Sequence, residues 1–247
     1  MCSSDLRILS RQRGLNFPPG TRFEYNNGGY NLLASALKRA TGQSLRAFAD
    51  ANVFKPLGMT RSYFQDDPTR LVPNSVAGYQ RQVDGWHDVS AAEAKGVVGN
   101  GGMHSTVGDL LRWVQNFDDM SVGTPQMLAA IQKPIVLPEG GTSSYGVGLG
   151  EYRGAPIVQS SGGGPGVASR ILRFPGHRFA VAVICNEDNI VMGGMARVNP
   201  DVLTNGIADI YLAGALSPVE VSHTPVPKPP TPVTVSDDEL KEKSGLY

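Results

Sequence analysis

The sequence predicts an α+β fold in which an antiparallel sheet is flanked by helices. Strand-like segments follow one another between residues 144 and 186, with no helical pattern among them. The dipeptides Arg153-Gly154 and Pro175-Gly176 are typical of hairpin turns, and consecutive hairpins build an antiparallel sheet. Helical patterns precede and follow this run, which indicates an α+β arrangement.

The first predicted helix precedes Gly42, a residue placed where a left-handed glycine usually ends a helix. It spans Tyr30–Thr41 and shows the spacing of an amphipathic helix. The apolar residues predicted to share one face are Tyr30, Leu33, Leu37 and Ala40.

Four further helices are predicted from their start and stop signals. Ser44 opens the second helix and Pro56 ends it. Ser105 or Thr106 caps the third, and Thr124-Pro125 begins the fourth with proline at its tolerated first position. The last helix begins at Asn199-Pro200 in the same way. Its predicted apolar stripe is Val202, Leu203, Ile207, Ile210 and Tyr211.

The strands are predicted from apolar runs of strand length between turn signals. Their predicted bounds are Tyr145–Tyr152, Pro156–Ser160, Val167–Phe174 and Arg178–Cys185. Phe179–Cys185 is apolar on both faces, which is typical of a central strand that is covered on each side.

Composition limits the class of partner. The chain has 247 residues, of which 40% are hydrophobic, and this suffices for one large domain with a core. Lys and Arg number 22 and so do Asp and Glu, so no basic surface for nucleic acid or an anionic membrane is indicated. The predicted partner is a small-molecule or peptide substrate.

Neither a metal, a cofactor nor a membrane segment is predicted. The histidines are scattered without metal-ligand spacing, and Cys2 and Cys185 match no disulfide or metal framework. The longest apolar run, near Phe179–Cys185, is too short to span a bilayer. Residues 1–6 lack the basic start and apolar stretch of a secretory signal.

Composition also predicts domain bounds. Residues 1–216 are predicted to fold together, and residues 217–236 form a proline-rich extended linker. Ser236 to Glu239 read as a capping box that opens a short helix. Residues 237–247 are therefore interpreted as the start of a truncated accessory domain.

The first candidate site is Tyr25-Asn26-Asn27, which precedes the first helix. Tyr25 and Asn27 are two residues apart, so they point to one side of an extended backbone. A phenol can relay a proton and an amide can hold a substrate carbonyl. The structural alternative is that Asn27 caps the helix and Tyr25 is a packing aromatic.

The second candidate is the run Ser160-Ser161-Gly162-Gly163-Gly164-Pro165-Gly166, at the end of a predicted strand. Glycines at a strand end let a ligand approach the backbone, whose free N–H groups can form an oxyanion hole. The alternative is an ordinary wide hairpin loop.

A third pattern, Ser35-Ala36-Leu37-Lys38, matches the S-x-x-K arrangement of a nucleophilic serine and a lysine. Leu37 lies on the predicted apolar face and Ser35 falls in the middle of a helix. The pattern also follows Tyr25 in the chain, although it should precede it. We interpret this match as a coincidence.

Four ordered blocks together resemble one family. They are Phe17 to Ala34 (FPPGTRFEYNNGGYNLLA) with Thr41-Gly-Gln-Ser-Leu45, Val53 to Thr60 (VFKPLGMT), Gly101 to Leu111 (GGMHSTVGDLL) and Gly162 to Gly166 (GGGPG). The chain resembles the β-lactamase-related serine hydrolases, which include class C β-lactamases, DD-peptidases, D-aminopeptidases and esterases. The resemblance covers roughly residues 5–215.

The resemblance implies a mechanism and roles. In such enzymes a serine of S-x-x-K attacks a carbonyl, while the lysine and the tyrosine of Y-x-N manage its proton. Tyr25 takes the tyrosine's place and Asn27 contacts the substrate. Ser160-Ser161-Gly162 takes the place of a Lys/His-Ser/Thr-Gly block, so that Ser161 bonds the substrate and the Gly163 N–H is an oxyanion donor.

Two departures from the family pattern shape the functional hypothesis. The family's S-x-x-K lies further upstream than the 24 residues before Tyr25 allow, so we expect an N-terminally truncated fragment that is inactive alone. Ser160 stands where the family usually has Lys or His, which favours the alternative of a non-catalytic binding protein on this scaffold. The resemblance implies a periplasmic or secreted parent.

Two structural predictions follow. The Tyr25 phenol and Asn27 should face Val158–Gly164 across a cleft, with Ser35 packed or turned away from it. In the family the strands that flank Phe179–Cys185 come from the N-terminal segment, which we expect to be absent here, so this strand should lie at a sheet edge. It should then cause self-association, because it contains neither charge nor proline to oppose pairing at that edge.

Overall fold

The computed structural model describes residues 9–67, 69–82, 84–90, 98–138, 142–143, 147–187 and 199–218. Spatial clustering separates Met1–Ser217 from Pro218–Tyr247, and the helices and strands described below lie in the first unit. The bounds 1–216, 217–236 and 237–247 stay a prediction, because nearly all of the last two segments lies outside the described residues. No helix within the described ranges is long and apolar enough to cross a membrane.

Polar side chains cap the N-termini of the helices, at the predicted residue in every described helix but the first. In each case a side-chain oxygen accepts a hydrogen bond from a first-turn N–H group. The caps are Asn26, Ser44, Thr106, Thr124 and Asn199. The helices are α1 (Asn27–Thr41), α2 (Leu45–Ala49, continued by a π-helical turn over Asp50–Phe54), α3 (Val107–Asp119), α4 (Pro125–Ile131) and α5 (Pro200–Tyr211).

The described strands form one four-stranded antiparallel sheet and three two-stranded ribbons. In chain order they are β1 (Tyr63–Phe64), β2 (Tyr79–Gln82), β3 (Gly85–Asp88), β4 (Met103–His104), β5 (Ile135–Val136), β6 (Thr142–Ser143), β7 (Gly148–Tyr152), β8 (Ala155–Gly164), β9 (Val167–Phe174) and β10 (Phe179–Cys185). The ribbons pair β1 with β4, β2 with β3 and β5 with β6, and the sheet order is β10-β9-β8-β7. The predicted α+β class, with an antiparallel sheet and flanking helices, is confirmed.

The main core lies between the sheet and α5. Alternate residues of two neighbouring strands point to the same face, and these are the apolar ones. The cluster consists of Ala155 and Ile157 from β8, Leu172 and Phe174 from β9, Ala208 from α5, and Leu216. Leu172, Phe174 and Ala208 have no exposed surface, so this layer holds α5 against the sheet.

Two buried arginines of β9 tie opposite faces of the sheet to the helices. The guanidinium of Arg170 donates to Thr204 Oγ1 at 2.8 Å and to Asn205 Oδ1 at 2.9 Å, both on α5. Arg173 pairs with Asp118 on α3. Positions 170 and 173 differ by an odd number, so their side chains point to opposite faces of the strand. The sheet is therefore covered by α5 on one face and approached by α3 on the other.

Two predicted apolar faces are not the buried faces of their helices. Leu33 of α1 is exposed, and the residues that α1 buries are Asn31 and Ala34. In α5 the predicted stripe is largely exposed, while Thr204 and Ala208 are fully buried. The physical reason in both helices is that a buried polar side chain binds a neighbouring element and thereby sets the rotation of the helix.

Several predicted bounds also shift. α1 begins at Asn27 rather than Tyr30. β8 continues to Gly164, so the predicted wide loop after Ser160 is instead a strand that ends in a tight turn at Pro165-Gly166. Val167–Phe174 is observed with its predicted bounds.

Candidate functional site

The end of β8 extends beyond its partner β7. The two strands pair from Tyr152 opposite Ala155 to Gly148 opposite Gln159. The following segment, Ser160–Gly164, pairs only with β9 among the described residues. We call the side of Ser160–Gly164 that faces away from β9 the open edge.

Two main-chain positions of this segment point toward the open edge. Both hairpins of β8 close with two-residue turns, so Tyr152–Ala155 and Gly164–Val167 are hydrogen-bonded pairs. Along an antiparallel ladder, hydrogen-bonded pairs alternate with non-hydrogen-bonded pairs. Ser161 and Gly163 therefore belong to non-hydrogen-bonded pairs, and their N–H and C=O groups point away from β9. Those of Gly162 point toward β9, in agreement with the 3.3 Å hydrogen bond that Ser169 Oγ donates to Gly162 O.

The residues of this segment are also accessible. Ser160, Ser161, Gly162 and Gly163 are all exposed. The glycines place no Cβ beside the backbone, so a ligand can approach the main-chain groups closely. This arrangement can hold a carbonyl or an amide of an extended ligand in the manner of an added strand.

The turn between β8 and β9 is held by a second chain segment, around Gly78, that crosses close to it. Gly166 has φ of 73°, and a Cβ built on it would lie 2.5 Å from the carbonyl carbon of Gly78 and 2.6 Å from Tyr79 N. Tyr79 N in turn donates to Asn186 O at 2.9 Å, directly after β10. The segment around Gly78 therefore lies against the β8–β9 turn and fixes the end of β8.

The second candidate site, Tyr25 with Asn27, forms a local hydrogen-bonded pair. Tyr25 Oη donates to Asn27 Oδ1 at 2.9 Å, and the Tyr25 side chain is 69% exposed. The expectation that Asn27 caps α1 is wrong, because the Asn26 side chain accepts the hydrogen bond from Gly29 N. Asn27 is thus released from capping and presents its amide beside the phenol.

The loop next to α1 is held by a buried asparagine that no sequence pattern singled out. Asn31 Oδ1 accepts from Asn100 N at 3.0 Å. A Cβ on Gly99, whose φ is 138°, would lie 2.8 Å from Tyr30 O. The Gly-rich segment before β4 therefore lies directly on α1, one turn after the Tyr25–Asn27 pair.

The S-x-x-K match lies inside α1. Ser35 Oγ donates to Asn31 O at 2.9 Å, the usual bond of a serine in the middle of a helix to the preceding turn. Ser35 is half-buried and Lys38 is exposed. This geometry agrees with the interpretation of the match as a coincidence.

One charged residue of β9 is paired with the segment that forms the open edge, but its side chain binds α5. Arg170 lies opposite Ser161, but its guanidinium binds α5 and forms an ion pair with Asp201 at 3.1 Å. Ser160 brings a hydroxyl and no charge. Within the described ranges, no group of His, Cys, Asp and Glu residues is arranged to hold a metal ion.

The structure therefore brings the predicted site residues together as two groups. Tyr25 with Asn27 forms one group, and Ser160 to Gly163 on one strand forms the other. That the two groups face each other across a cleft stays a prediction. The supporting residues Asn31 and Gly78 were missed. Gly166 belonged to the predicted run, but its close contact with Gly78 was not predicted.

Comparison with known proteins gives one family. The sequence profile of the family described as Beta-lactamase matches residues 5–198. A D-aminopeptidase from Gluconobacter oxydans is 24% identical over 78% of this chain and 37% of that protein. Penicillin-binding protein 4* from Bacillus subtilis is 29% identical over 75% of this chain and 45% of its own length. The chain thus spans less than half the length of these relatives.

Solved structures show the same fold. The penicillin-binding protein homologue from Pyrococcus abyssi, described as octameric, superposes with a TM-score of 0.67 at 24% identity. It matches 79% of this chain and 44% of that chain. D-amino acid amidase from Ochrobactrum anthropi superposes with a TM-score of 0.64 at 23% identity, over 76% of this chain and 56% of its own.

Proposed function

The chain belongs to the Beta-lactamase family, and we propose that it carries the carbonyl-binding part of a serine hydrolase. The proposed reaction proceeds through an acyl-enzyme on an ester, an amide, a β-lactam or a D-amino-acid peptide. The single observation that carries this proposal is the open edge of β8, where main-chain groups of Ser161 and Gly163 point away from β9. From the family resemblance we also propose a periplasmic or secreted parent.

At the open edge, the proposed ligand lies antiparallel to Ser160–Gly164. Its carbonyl oxygen accepts from the Gly163 N–H, which then stabilises the negative charge that develops when a nucleophile attacks. The Ser161 hydroxyl donates to a carboxylate or carbonyl of the ligand. Both contacts come from a strand that β9 and the Gly78 crossing hold in place, so the donors are oriented before the ligand binds.

Tyr25 is proposed to move the proton and Asn27 to hold the ligand amide. The hydrogen bond between Tyr25 Oη and Asn27 Oδ1 fixes the orientation of both groups. It also leaves the Asn27 NH₂ group as a donor, and an amide donor suits a substrate carbonyl. Exposure of Tyr25 keeps the phenol accessible to a ligand.

We further propose that this chain is inactive when alone. The serine of an acyl-enzyme must be activated by a neighbouring base. The Ser35 hydroxyl donates to a backbone carbonyl instead, and it follows Tyr25 in the chain. The nucleophilic pair therefore has to come from residues beyond those given.

The second candidate is a non-catalytic binding protein on the same scaffold. Ser160 favours it, because a cation at this position would stabilise negative charge in the transition state and a hydroxyl does so less. Ligand binding at the open edge is common to both candidates. They differ in whether the parent chain supplies a serine and lysine pair.

Ligand binding tests the proposal. We expect D-phenylalanine amide or a D-alanyl-D-alanine peptide to bind the chain, measured by isothermal titration calorimetry. Ser161→Ala should weaken binding about tenfold, the effect of one lost hydrogen bond of roughly 1.4 kcal/mol.

The matched control is Ser121→Ala, which removes another exposed serine hydroxyl from a loop after α3. It should leave the affinity unchanged. Equal effects of the two substitutions, or no binding by the unaltered chain, would contradict the assignment of the open edge.

A further inference from the structure

One hydroxyl of β9 lies against the backbone of the candidate site. Ser169 is paired with Gly162, and its Oγ donates to Gly162 O at 3.3 Å. A Cβ built on Gly162 would lie 3.1 Å from Ser169 Oγ. The hydroxyl therefore occupies the space beside the backbone that a side chain at position 162 would need, and the glycine makes this contact possible.

The contacted carbonyl and the Gly163 N–H belong to one peptide group. A trans peptide is planar, so its C=O and N–H groups point in opposite directions. Gly162 O points toward β9, and the Gly163 N–H therefore points to the open edge. A donor that binds the oxygen on one side thus also fixes the direction of the N–H on the other side.

Gly162 O accepts two hydrogen bonds from the same residue. Gly162 and Ser169 form a hydrogen-bonded pair of the ladder, in which each N–H donates to the carbonyl of the other residue. The Ser169 hydroxyl adds a second bond, and a carbonyl oxygen has two lone pairs to accept both. Two donors on one oxygen restrict the rotation of the peptide group, and glycine is the residue with the most rotational freedom to lose.

The second bond also changes the strength of the Gly163 donor. Hydrogen bonds that share a polar group polarise one another, and each strengthens the next by roughly 10–30%. Electron density drawn to the Gly162 oxygen leaves the Gly163 N–H with more positive charge. A stronger donor has its largest effect where negative charge develops on a ligand oxygen.

The strand that carries Ser169 is firmly held. Its neighbours Ala168 and Arg170 are buried, at 1% and 6% exposure. Arg170 binds α5 on one face of the sheet, and Arg173 of the same strand forms an ion pair with α3 on the other. The Ser169 hydroxyl is therefore presented to the site from a backbone that is fixed on both faces.

We propose that Ser169 is a positioning residue for the oxyanion donor. Its hydroxyl orients and polarises the Gly162–Gly163 peptide group, and the Gly163 N–H then binds a ligand carbonyl more strongly. This role rests on the proposed function, which assigns the Gly163 N–H to the ligand. Ser169 itself does not touch the ligand, and it lies outside the sequence blocks that carry the family resemblance.

NMR spectroscopy observes this peptide group directly. Labelling glycine with ¹³C at the carbonyl and with ¹⁵N restricts an HNCO spectrum to peptide bonds between two glycines. The Gly162–Gly163 signal is the one that Gly163→Ala removes and Gly164→Ala retains. Ser169→Ala should move this signal upfield in both the carbonyl carbon and the amide nitrogen, because the oxygen with one bond fewer is less polarised. Ser169→Thr keeps a hydroxyl and should keep the signal in place.

Two comparisons separate this role from mere support of the strand pairing. The Gly163–Gly164 signal should stay in place in Ser169→Ala, because the Gly164 N–H keeps its ladder partner on β9. Loss of the pairing would move both signals. Ser35→Ala is the matched control, since Ser35 Oγ also donates to a backbone carbonyl, that of Asn31, at 2.9 Å. It should leave both signals unchanged.

Ligand affinity connects the hydrogen bond to binding. In isothermal titration calorimetry, Ser169→Ala should weaken the binding of a D-alanyl-D-alanine peptide roughly threefold. This is less than the loss of a whole hydrogen bond, because the Gly163 donor is weakened and not removed. Ser169→Thr and Ser35→Ala should bind the peptide as the unaltered chain does.

An unchanged Gly162–Gly163 signal in Ser169→Ala would overturn the inference and leave the proposed function standing. Equal movement of the Gly163–Gly164 signal would also overturn it, because Ser169 would then support the strand pairing alone. A moved signal with unchanged affinity would do so as well, since the Gly163 N–H would not be the ligand's donor. No binding by the unaltered chain would instead contradict the proposed function, and with it any role of Ser169 toward a ligand.

Discussion

Two tyrosine hydroxyls of this chain have opposite surroundings. Tyr152 Oη donates to both carboxylate oxygens of Asp209 at 3.0 Å. Tyr63 Oη is buried and has no hydrogen-bond partner in the described part of the chain. Burial raises the pKa of both phenols, and the Asp209 carboxylate raises the pKa of Tyr152 further, while Arg46 opposes the rise for Tyr63. The Tyr152 hydroxyl therefore stabilises the fold, whereas the Tyr63 hydroxyl destabilises it.

We predict opposite effects of removing these hydroxyls on the free energy of unfolding. Tyr152→Phe should destabilise the fold by about 1.5–3 kcal/mol, because it breaks a hydrogen bond to a charged group. Tyr63→Phe should be neutral or slightly stabilising, because it removes a buried unpaired oxygen and keeps the ring stacked on His104. Urea denaturation of both variants measures the difference.

The pH dependence of the free energy of unfolding provides a further test, because a change in packing alone would not depend on pH in this way. A raised pKa in the folded state means that the Tyr152 contribution is complete below the unfolded value of 10.0 and is lost as pH rises through the folded pKa. The stability gap between the unaltered chain and Tyr152→Phe should therefore be constant from pH 7 to 9 and shrink above pH 10. A gap that is unchanged at pH 11 would contradict this explanation.

At the scale of helices and strands, local sequence signals predicted the N-terminal ends of the helices better than their buried faces. The caps Ser44, Thr106, Thr124 and Asn199 were readable because the capping bond joins residues two or three apart. The buried faces of α1 and α5 were not, because they depend on Asn31 binding Asn100 and on Arg170 binding α5. Such bonds link positions distant in sequence, so periodicity alone does not show them.

The end of β8 was misread for a related reason. A run of glycines has low strand propensity and predicts a loop. Pairing of Ser160–Gly164 with β9 overrides that propensity, and the two-residue turn at Pro165-Gly166 makes the pairing continuous. Ser160–Gly163 stay a predicted site, and the backbone observed for this segment is a strand rather than the expected loop.

Two of the hairpin turns of the sheet give a prediction at this scale. Gly166→Ala should destabilise the fold by about 3 kcal/mol, because φ of 73° disfavours a side chain and the new Cβ would overlap the Gly78 backbone. Gly176→Ala should be neutral within about 0.5 kcal/mol, because open space surrounds that position. Thermal melts of the two variants make the comparison, and equal effects would contradict the crossing at Gly78.

At the scale of the whole molecule, the chain forms a sheet with helices on both faces, and the candidate site residues lie in two groups. Tyr25, Asn27 and Ser161 could be named from the sequence, because the resemblance lies in short contiguous blocks. Their spatial relation stays a prediction, since no local pattern reports where α1 stands relative to β8. The chain spans less than half the length of these relatives.

We propose above that this chain binds a carbonyl ligand but does not form an acyl-enzyme by itself. Intact-mass spectrometry after incubation with a penicillin or a fluorophosphonate tests both parts together with the titration. We expect the unmodified mass at ligand concentrations that saturate the calorimetric titration. A stoichiometric adduct would contradict it, and peptide mapping of that adduct to Ser35, Ser105 or Ser161 would identify the nucleophile that this chain does contain.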